Sequence, residues 1–302
     1  MLYGIFNYAQ AEVLVILPES GPMARAGLSI KQGFMSAYQA SGQKTPIKFV
    51  NSDTKQIAQL LKINVNKKNQ MVIGSLARNE VEGLIKSKPK VCVFALNEVT
   101  HQADQVGQFS LSKKDDAYRL NQILQKDKIK QIYVFRQPGI EADSELFVMS
   151  LVSKIDYHLT VVEELPEKLN KKSSLLRIGN NQWSNSLAKL PNKNIYVGWN
   201  GIEQQQAIPQ KVKFCDVPAL YNLAGSDVTE AYSCQQNPVA KPYQRLQTFG
   251  VDVRHIAQQY LDKPNLKSIE FQGRTGLIQI SNPHIQRPPH CFENIRKGIR
   301  SL

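Results

Sequence analysis

A chain of 302 residues can build one large domain or two lobes, and 42% hydrophobic content is too high for general disorder. No apolar run approaches the ~18 residues that cross a bilayer, so the sequence encodes no spanning helix. The net charge of +13 admits nucleic acid, anionic lipid or an acidic polymer as partners, but the lysines stand in small groups at element ends, a solvated pattern that argues against nucleic acid.

The first residues end in Ala9-Gln10-Ala11, an A-x-A cleavage pattern, although Leu2–Phe6 is short for an apolar leader core. Residues 1–11 are expected to be the remnant of a signal peptide that starts upstream, with a chance match as the alternative. Val13–Leu17 is an unbroken apolar run with three β-branched members, suited to a central strand covered on both faces. Pro18 and Ser20-Gly21-Pro22 stop it. Ile30, Phe34, Ala37 and Tyr38 then recur at helical spacing and can lie back on the strand. Gly27 and Gly33 weaken that helix unless close packing on the sheet requires them.

Strand and helix signals go on alternating. Ile47–Val50, Met71–Gly74 and Val91–Leu96 read as strands, with helices near Lys55–Leu61 and after Asn79, a candidate cap for Val81, Leu84 and Ile85. Phe109–Ser112 reads as a crossing segment. A second series follows: a helix over Asp115–Lys126, a strand over Ile132–Phe135, a helix over Glu145–Lys154, strands at His158–Glu163 and Leu175–Gly179, a short helix from Trp183 to Leu190 and a strand at Ile195–Gly198. Such series imply parallel sheets flanked by helices with right-handed crossovers, and two of them in tandem imply two α/β lobes with a cleft. Lys211–Val217 reads as a further strand, while 224–232 fits loop or helix. Gln244–Leu261 is a helix with Leu246, Phe249, Val253 and Ile256 on one face. Ile269–Phe271 and Leu277–Ile280 form a final hairpin, and 281–302 is a Pro- and Arg-rich extended tail, part of a C-terminal stretch where basic residues outnumber acidic ones.

Most catalytic patterns are missing from the sequence. It has no GxGxxG after the first strand, no GxxxxGK[ST], no GxSxG and no HExxH. The five histidines stand apart, and His290-Cys291 lacks the second pair a metal site needs. Asp115-Asp116 at a helix start is explained by the helix dipole. No cofactor, no metal and no enzymatic activity are expected. Of the four cysteines, Cys92 lies in an apolar strand as a buried thiol, and Cys215 and Cys234 are close enough to pair in an oxidising compartment. Spacing does not decide that pairing. What remains is a set of polar strand ends, where open α/β sheets hold ligands. They are Ser20, Gly21, Ser52, Gly74, Ser75 and Asn97 in the first lobe, and Arg136, Trp199 and Asn200 in the second. Ordinary turn chemistry explains the same residues.

These segments also carry a resemblance. Leu17-Pro18, Ser20-Gly21-Pro22 and Gly33-Phe34 with Ala37-Tyr38 resemble the opening of the penicillin-binding-protein activator family, the LppC/LpoA lipoproteins. Ile73-Gly74-Ser75-Leu76 resembles that family's I-G-P-L turn, with Ser75 where proline is usual. Val93–Asn97, Phe109–Ala117, Arg245–Asp252 and Gly273–Gly276 resemble further motifs in the same order. The resemblance implies a two-lobed type I periplasmic-binding-protein-like fold. The expected division is 12–110 with about 220–260 in lobe one, and 111–219 with about 261–302 in lobe two. It further implies a non-catalytic periplasmic protein, outer-membrane associated in its lipoprotein members, that binds and activates a class A penicillin-binding protein, a peptidoglycan synthase. No cysteine stands near residue 11 to take a lipid. The alternative is a periplasmic receptor that closes on an amino acid or similar small ligand in the cleft.

Overall fold

The apolar run at the start forms a strand buried on both faces as expected, although it lies one strand in from the edge of its eight-stranded sheet rather than at the centre. In the computed structural model, which describes residues 12–153, 158–187, 194–198, 201–202, 208–221, 239–263, 266–281 and 284–302, strand β1 spans Glu12–Leu17 and its last five side chains are all buried. Each such aliphatic side chain contributes about 2 kcal/mol over leaving it in water. Helix α1 (Ala24–Ala40) buries Ile30, Phe34 and Ala37, and Tyr38 is half-buried. Gly27 shows why the helix accepts glycine. A Cβ there would stand 2.0 Å from the Pro18 carbonyl oxygen, so only glycine lets α1 approach the chain leaving β1.

The chain clusters into two compact units. Unit 1 comprises Met1–Ser110, Phe249–Phe271 and Gln279–Gln286; unit 2 comprises Leu111–Thr248, Gln272–Ile278 and Arg287–Leu302. Residues 1–11, expected as a leader remnant, lie outside the described residues.

Unit 1 continues with β2 (Ile47–Asn51), α2 (Ile57–Asn64), β3 (Asn69–Ile73), α3 (Arg78–Lys86), β4 (Cys92–Ala95) and β5 (Val106–Gln108). Strands β1 to β5 pair in parallel, β1 lying between β2 and β3. Their core gathers Leu14, Ile16, Leu60, Val72, Leu84 and Val93. Two details differ from the sequence reading. Helix α3 starts at Arg78 with Ala77 before it, so Asn79 sits inside the first turn and caps nothing. The crossing segment is preceded by β5, whose three residues include a glycine and are too short to show a period.

Unit 2 holds α4 (Lys113–Lys126), β6 (Gln131–Arg136), α5 (Glu141–Val152), β7 (His158–Val162), β8 (Ser173–Ile178), α6 (Asn181–Ser186), β9 (Ile195–Val197) and β10 (Val212–Asp216). Ser112 caps α4, its hydroxyl accepting from the Lys114 amide at 3.2 Å, and Asn180 caps α6. Helix α5 begins a turn earlier than expected. Glu141 and Asp143 suit a helix start, and the Gly139 amide donates to Glu141 at 3.1 Å. The core packs α4 and α5, through Leu120, Leu124, Phe147 and Leu151, on Ile132, Val134 and Leu176.

Helix α7 (Lys241–Asp262) groups with unit 2 as far as Thr248 and with unit 1 from Phe249. Phe249 stacks on Phe109 at 4.8 Å, and Phe94 packs edge-on to Tyr260 at 4.8 Å. The C-terminal stretch is more regular than the extended tail read from the sequence. Strands β11 (Ser268–Gln272), β12 (Leu277–Ser281) and β13 (His284–Gln286) extend the first sheet, which runs β11-β12-β13-β5-β4-β3-β1-β2. Strands β14 (His290–Ile295) and β15 (Gly298–Ser301) extend the second, which runs β15-β14-β10-β9-β8-β6-β7. Pro288-Pro289 only separates β13 from β14. The two units therefore share 261–302, which the sequence reading assigned to lobe two, because successive short strands pair with different sheets.

Candidate functional site

The strand-end residues of unit 1 fall into two groups. At the carboxyl ends of β1 and β2, Asn51 ends β2 and caps the 3-10 turn Ser52–Thr54, its Oδ1 accepting from the Asp53 amide at 3.1 Å. The same oxygen accepts from the Glu19 amide at 2.9 Å, and its Nδ2 donates to Ser20 Oγ at 3.1 Å. Asp53 Oδ2 accepts from both the Ser20 amide and the Ser20 hydroxyl, each at 3.2 Å. Gly21, at φ +66°, lies against the same carboxylate. Glu19 pairs with Lys31 at 2.6 Å, and that ammonium lies 4.5 Å from the Phe49 ring centre. The structure thus brings Ser20, Gly21 and Ser52 together, but the groups that organise them are Asn51 and Asp53. Ser52 itself is buried, with no hydrogen-bond partner for its hydroxyl among the described residues.

The second group is at the ends of β3 and β4. The Gly74 amide donates to the Phe94 carbonyl at 2.7 Å, and the Leu96 amide to the Ser75 carbonyl at 2.9 Å. Gly74 sits at φ +121°, where a Cβ would lie 2.1 Å from the Ile16 carbonyl oxygen; its role is close backbone approach. Ser75 is fully buried and its hydroxyl also has no partner among the described residues. Asn97 donates to the Leu76 carbonyl at 2.9 Å and accepts from the Glu98 amide at 2.8 Å. These amides and side chains are spent on joining neighbouring loops.

In unit 2, Arg136 pairs with Glu145 at 3.1 Å and reaches Ser144 at 3.5 Å. Trp199 and Asn200 lie outside the described residues.

The expected Cys215–Cys234 pairing is corrected. Cys215 is bonded to Cys291, and Cys234 lies outside the described residues. The reason is register: β10 and β14 run antiparallel with Cys215 and Cys291 opposite one another. Cys291 is therefore no metal ligand, and His290 beside it meets Ser301 Oγ at 2.7 Å. Cys92 is a half-buried free thiol whose pKa burial raises.

Unit 2 also contains a buried acid, Asp216, and a half-buried one, Asp116, whose partners the sequence did not reveal. Asp216 takes a two-pronged ion pair from Arg245, at 2.7 Å to each oxygen, and accepts from the Tyr221 hydroxyl at 2.6 Å and the Val217 amide at 2.7 Å. Burial by itself would raise its pKa, but the Arg245 charge and these hydrogen bonds outweigh burial and lower it. Tyr221, desolvated and beside that carboxylate, is pushed well above its ordinary range. Asp116, in the first turn of α4, receives Arg287 Nη2 at 3.2 Å, while its neighbour Asp115 accepts from the Arg287 amide at 2.9 Å. Burial, aided by the Asp115 and Asp216 charges and opposed by Arg287, raises Asp116 to about 6. Among the described residues no cluster of three His, Cys, Asp or Glu side chains could hold a metal ion.

Residues 2–138 match the model of the LppC putative lipoprotein family. The resemblance to LppC is borne out. A search of curated proteins found no significant match. The chain is similar to the C-domain of LpoA from Haemophilus influenzae, described as a regulator of PBP1A: TM-score 0.77 at 15% identity, covering 97% of this chain and 100% of that one. Against full-length LpoA from the same organism the TM-score is 0.79 at 15% identity, covering 97% of this chain and 59% of LpoA. The chain thus spans about 59% of the length of full-length LpoA. A putative branched-chain amino acid ABC transporter protein from Chromobacterium violaceum also matches, at TM-score 0.77 and 17% identity over 93% and 99% of the two chains. These likenesses show the α/β fold that LpoA and periplasmic binding proteins share, as the LppC resemblance implied.

Proposed function

We propose that this chain is a non-catalytic, periplasmic regulator that binds and activates a class A penicillin-binding protein. The observation that carries this reading is the LppC match over residues 2–138, alongside a likeness that covers the whole LpoA C-domain. The strand-end geometry agrees with it. A ligand carboxylate arriving at Ser20 would meet the Asp53 carboxylate, which already takes the Ser20 amide and hydroxyl, and like charges repel. A stripe of exposed apolar side chains on α5, with Leu146 at 38%, Met149 at 57% and Val152 at 42% exposure, supports a protein partner. The Cys215–Cys291 bond supports an oxidising compartment. No helix among the described residues is long and apolar enough to cross a membrane. A division into two lobes along the two units supports the same fold assignment.

A second reading, a periplasmic receptor for an amino acid, is favoured by the likeness to the Chromobacterium protein over 99% of its length. One experiment separates the two. The purified chain is used as bait on detergent-solubilised envelopes, and an amino-acid panel is tested for a rise in melting temperature. Capture of a class A penicillin-binding protein by the parent chain, lost in Met149→Asp, is the expected result. No capture together with an amino-acid-dependent rise in melting temperature would overturn the regulator reading and leave the receptor.

A further inference from the structure

Among the described residues the first sheet ends at β2 and β11, and the second at β7 and β15. Strands β2, β7 and β11 each keep half-buried residues along their length. Strand β15 differs: Gly298, Ile299, Arg300 and Ser301 are all exposed. It is nonetheless a fixed element. It pairs antiparallel with β14, the Leu302 amide donates to the Cys291 carbonyl at 3.0 Å, and the Leu302 side chain packs on the unit 2 core.

That last bond sets the direction of the groups along the strand. In an antiparallel ladder, alternate residues turn both N–H and C=O to the same neighbour. Leu302 turns its amide to β14, so Arg300 and Gly298 face β14 as well, and Ile299 and Ser301 turn theirs away. Two amides and two carbonyls thus line an open edge, a ready template for an added strand. Charge makes that template selective. Arg296 and Lys297 in the β14–β15 turn and Arg300 in the strand are all exposed. Arg300 pairs with Glu293, whereas no ion pair holds Arg296 or Lys297 among the described residues. A second copy of this edge would set like charges side by side, which opposes pairing; an acidic strand would complement them. Side chains alternate along the strand, so Ile299, 39% exposed, offers an apolar contact on the face opposite Arg300.

We propose that β15 is a docking edge for an extended, acidic segment of a partner protein. The segment adds as a strand beyond β15, with carboxylates toward Arg296, Lys297 and Arg300 and an apolar side chain beside Ile299. β15 lies at the opposite end of the sheet from β6 and β7, and α5 packs on β6. The edge is therefore separate from the α5 stripe, and the proposal does not depend on the regulator reading.

The test titrates the full chain into a fluorescein-labelled Glu-Val-Glu-Val-Glu-Val peptide, with Lys-Val-Lys-Val-Lys-Val as the control, read by anisotropy. Amide hydrogen exchange is measured on the same mixtures. Saturable binding of the acidic peptide alone, weakened by salt and slowing exchange at Ile299 and Ser301, is expected. Arg296→Glu/Lys297→Glu should weaken it about tenfold, at an unchanged melting temperature, because both side chains are exposed and unpaired. Ile299→Pro removes an outward amide that β14 does not use, and should abolish binding. Should Ile299→Pro fail to fold, the charge variant and the exchange data carry the comparison. No binding by the parent chain, equal binding of the lysine peptide, undiminished binding in either variant, or protection at β2, β7 or β11 instead of β15 would overturn the proposal. So would dimerisation of the parent chain that Ile299→Pro removes, since the edge would then serve a second copy.

Discussion

Replacing Arg245 by methionine is the sharpest probe of how unit 2 is held together. Arg245 lies on α7 and Asp216 at the end of β10, and the side chains are 12% and 5% exposed. Arg245 also donates to the Ile202 carbonyl at 3.2 Å. Arg245→Met leaves the Asp216 carboxylate buried, with the Tyr221 hydroxyl and the Val217 amide as its hydrogen-bond donors among the described residues and the Lys241 charge acting on it. Removing one partner of such a pair costs about 3–5 kcal/mol, a fall in melting temperature of about 10 °C. Pairing Arg245→Met with Asp216→Asn removes the stranded charge, so the double variant should recover much of that loss. The pH dependence has a fixed sign. Asp216 has a folded pKa below its unfolded value, so its contribution is present above the unfolded pKa and is lost as pH falls through the folded one. The gap between parent and Arg245→Met should therefore shrink in acid. Urea unfolding of the four proteins at neutral and acid pH measures both effects. A loss under about 1 kcal/mol for Arg245→Met, or strict additivity in the double variant, would refute the reasoning.

Two further outcomes follow from the same unit. Asp116 has the opposite sign: its pKa is raised from 3.8 to about 6, so its contribution is complete below 3.8 and is lost as pH rises through about 6. Asp116→Asn should flatten that window, by on the order of 3 kcal/mol between pH 4 and 7, and an unchanged slope in the variant would contradict the assignment. The Cys215–Cys291 bond closes a loop of 76 residues, which chain entropy values at about 4.5 kcal/mol. Reductant, or the Cys215→Ser/Cys291→Ser pair, should lower the urea midpoint correspondingly, and equal midpoints with and without reductant would exclude the bond.

The sequence by itself determined the alternation of strands and helices, because burial on both faces leaves the unbroken apolar run Val13–Leu17, and burial on one face leaves the spaced stripe Ile30, Phe34, Ala37. It also determined the family resemblance, since motifs in fixed order survive even where solved relatives are only 15% identical. Gly27 was legible as a cost, but its return needed the Pro18 carbonyl in view. Only the tertiary structure decided which polar residues meet. Cys215 finds Cys291 rather than Cys234 because antiparallel register, not chain distance, sets what lies opposite. Arg287 reaches Asp115 and Asp116, 172 and 171 residues away, and Asp53 takes the Ser20 amide 33 residues back. Periodicity records which face of an element is buried; it carries no record of which distant element that face, or a charge at its end, comes to rest against.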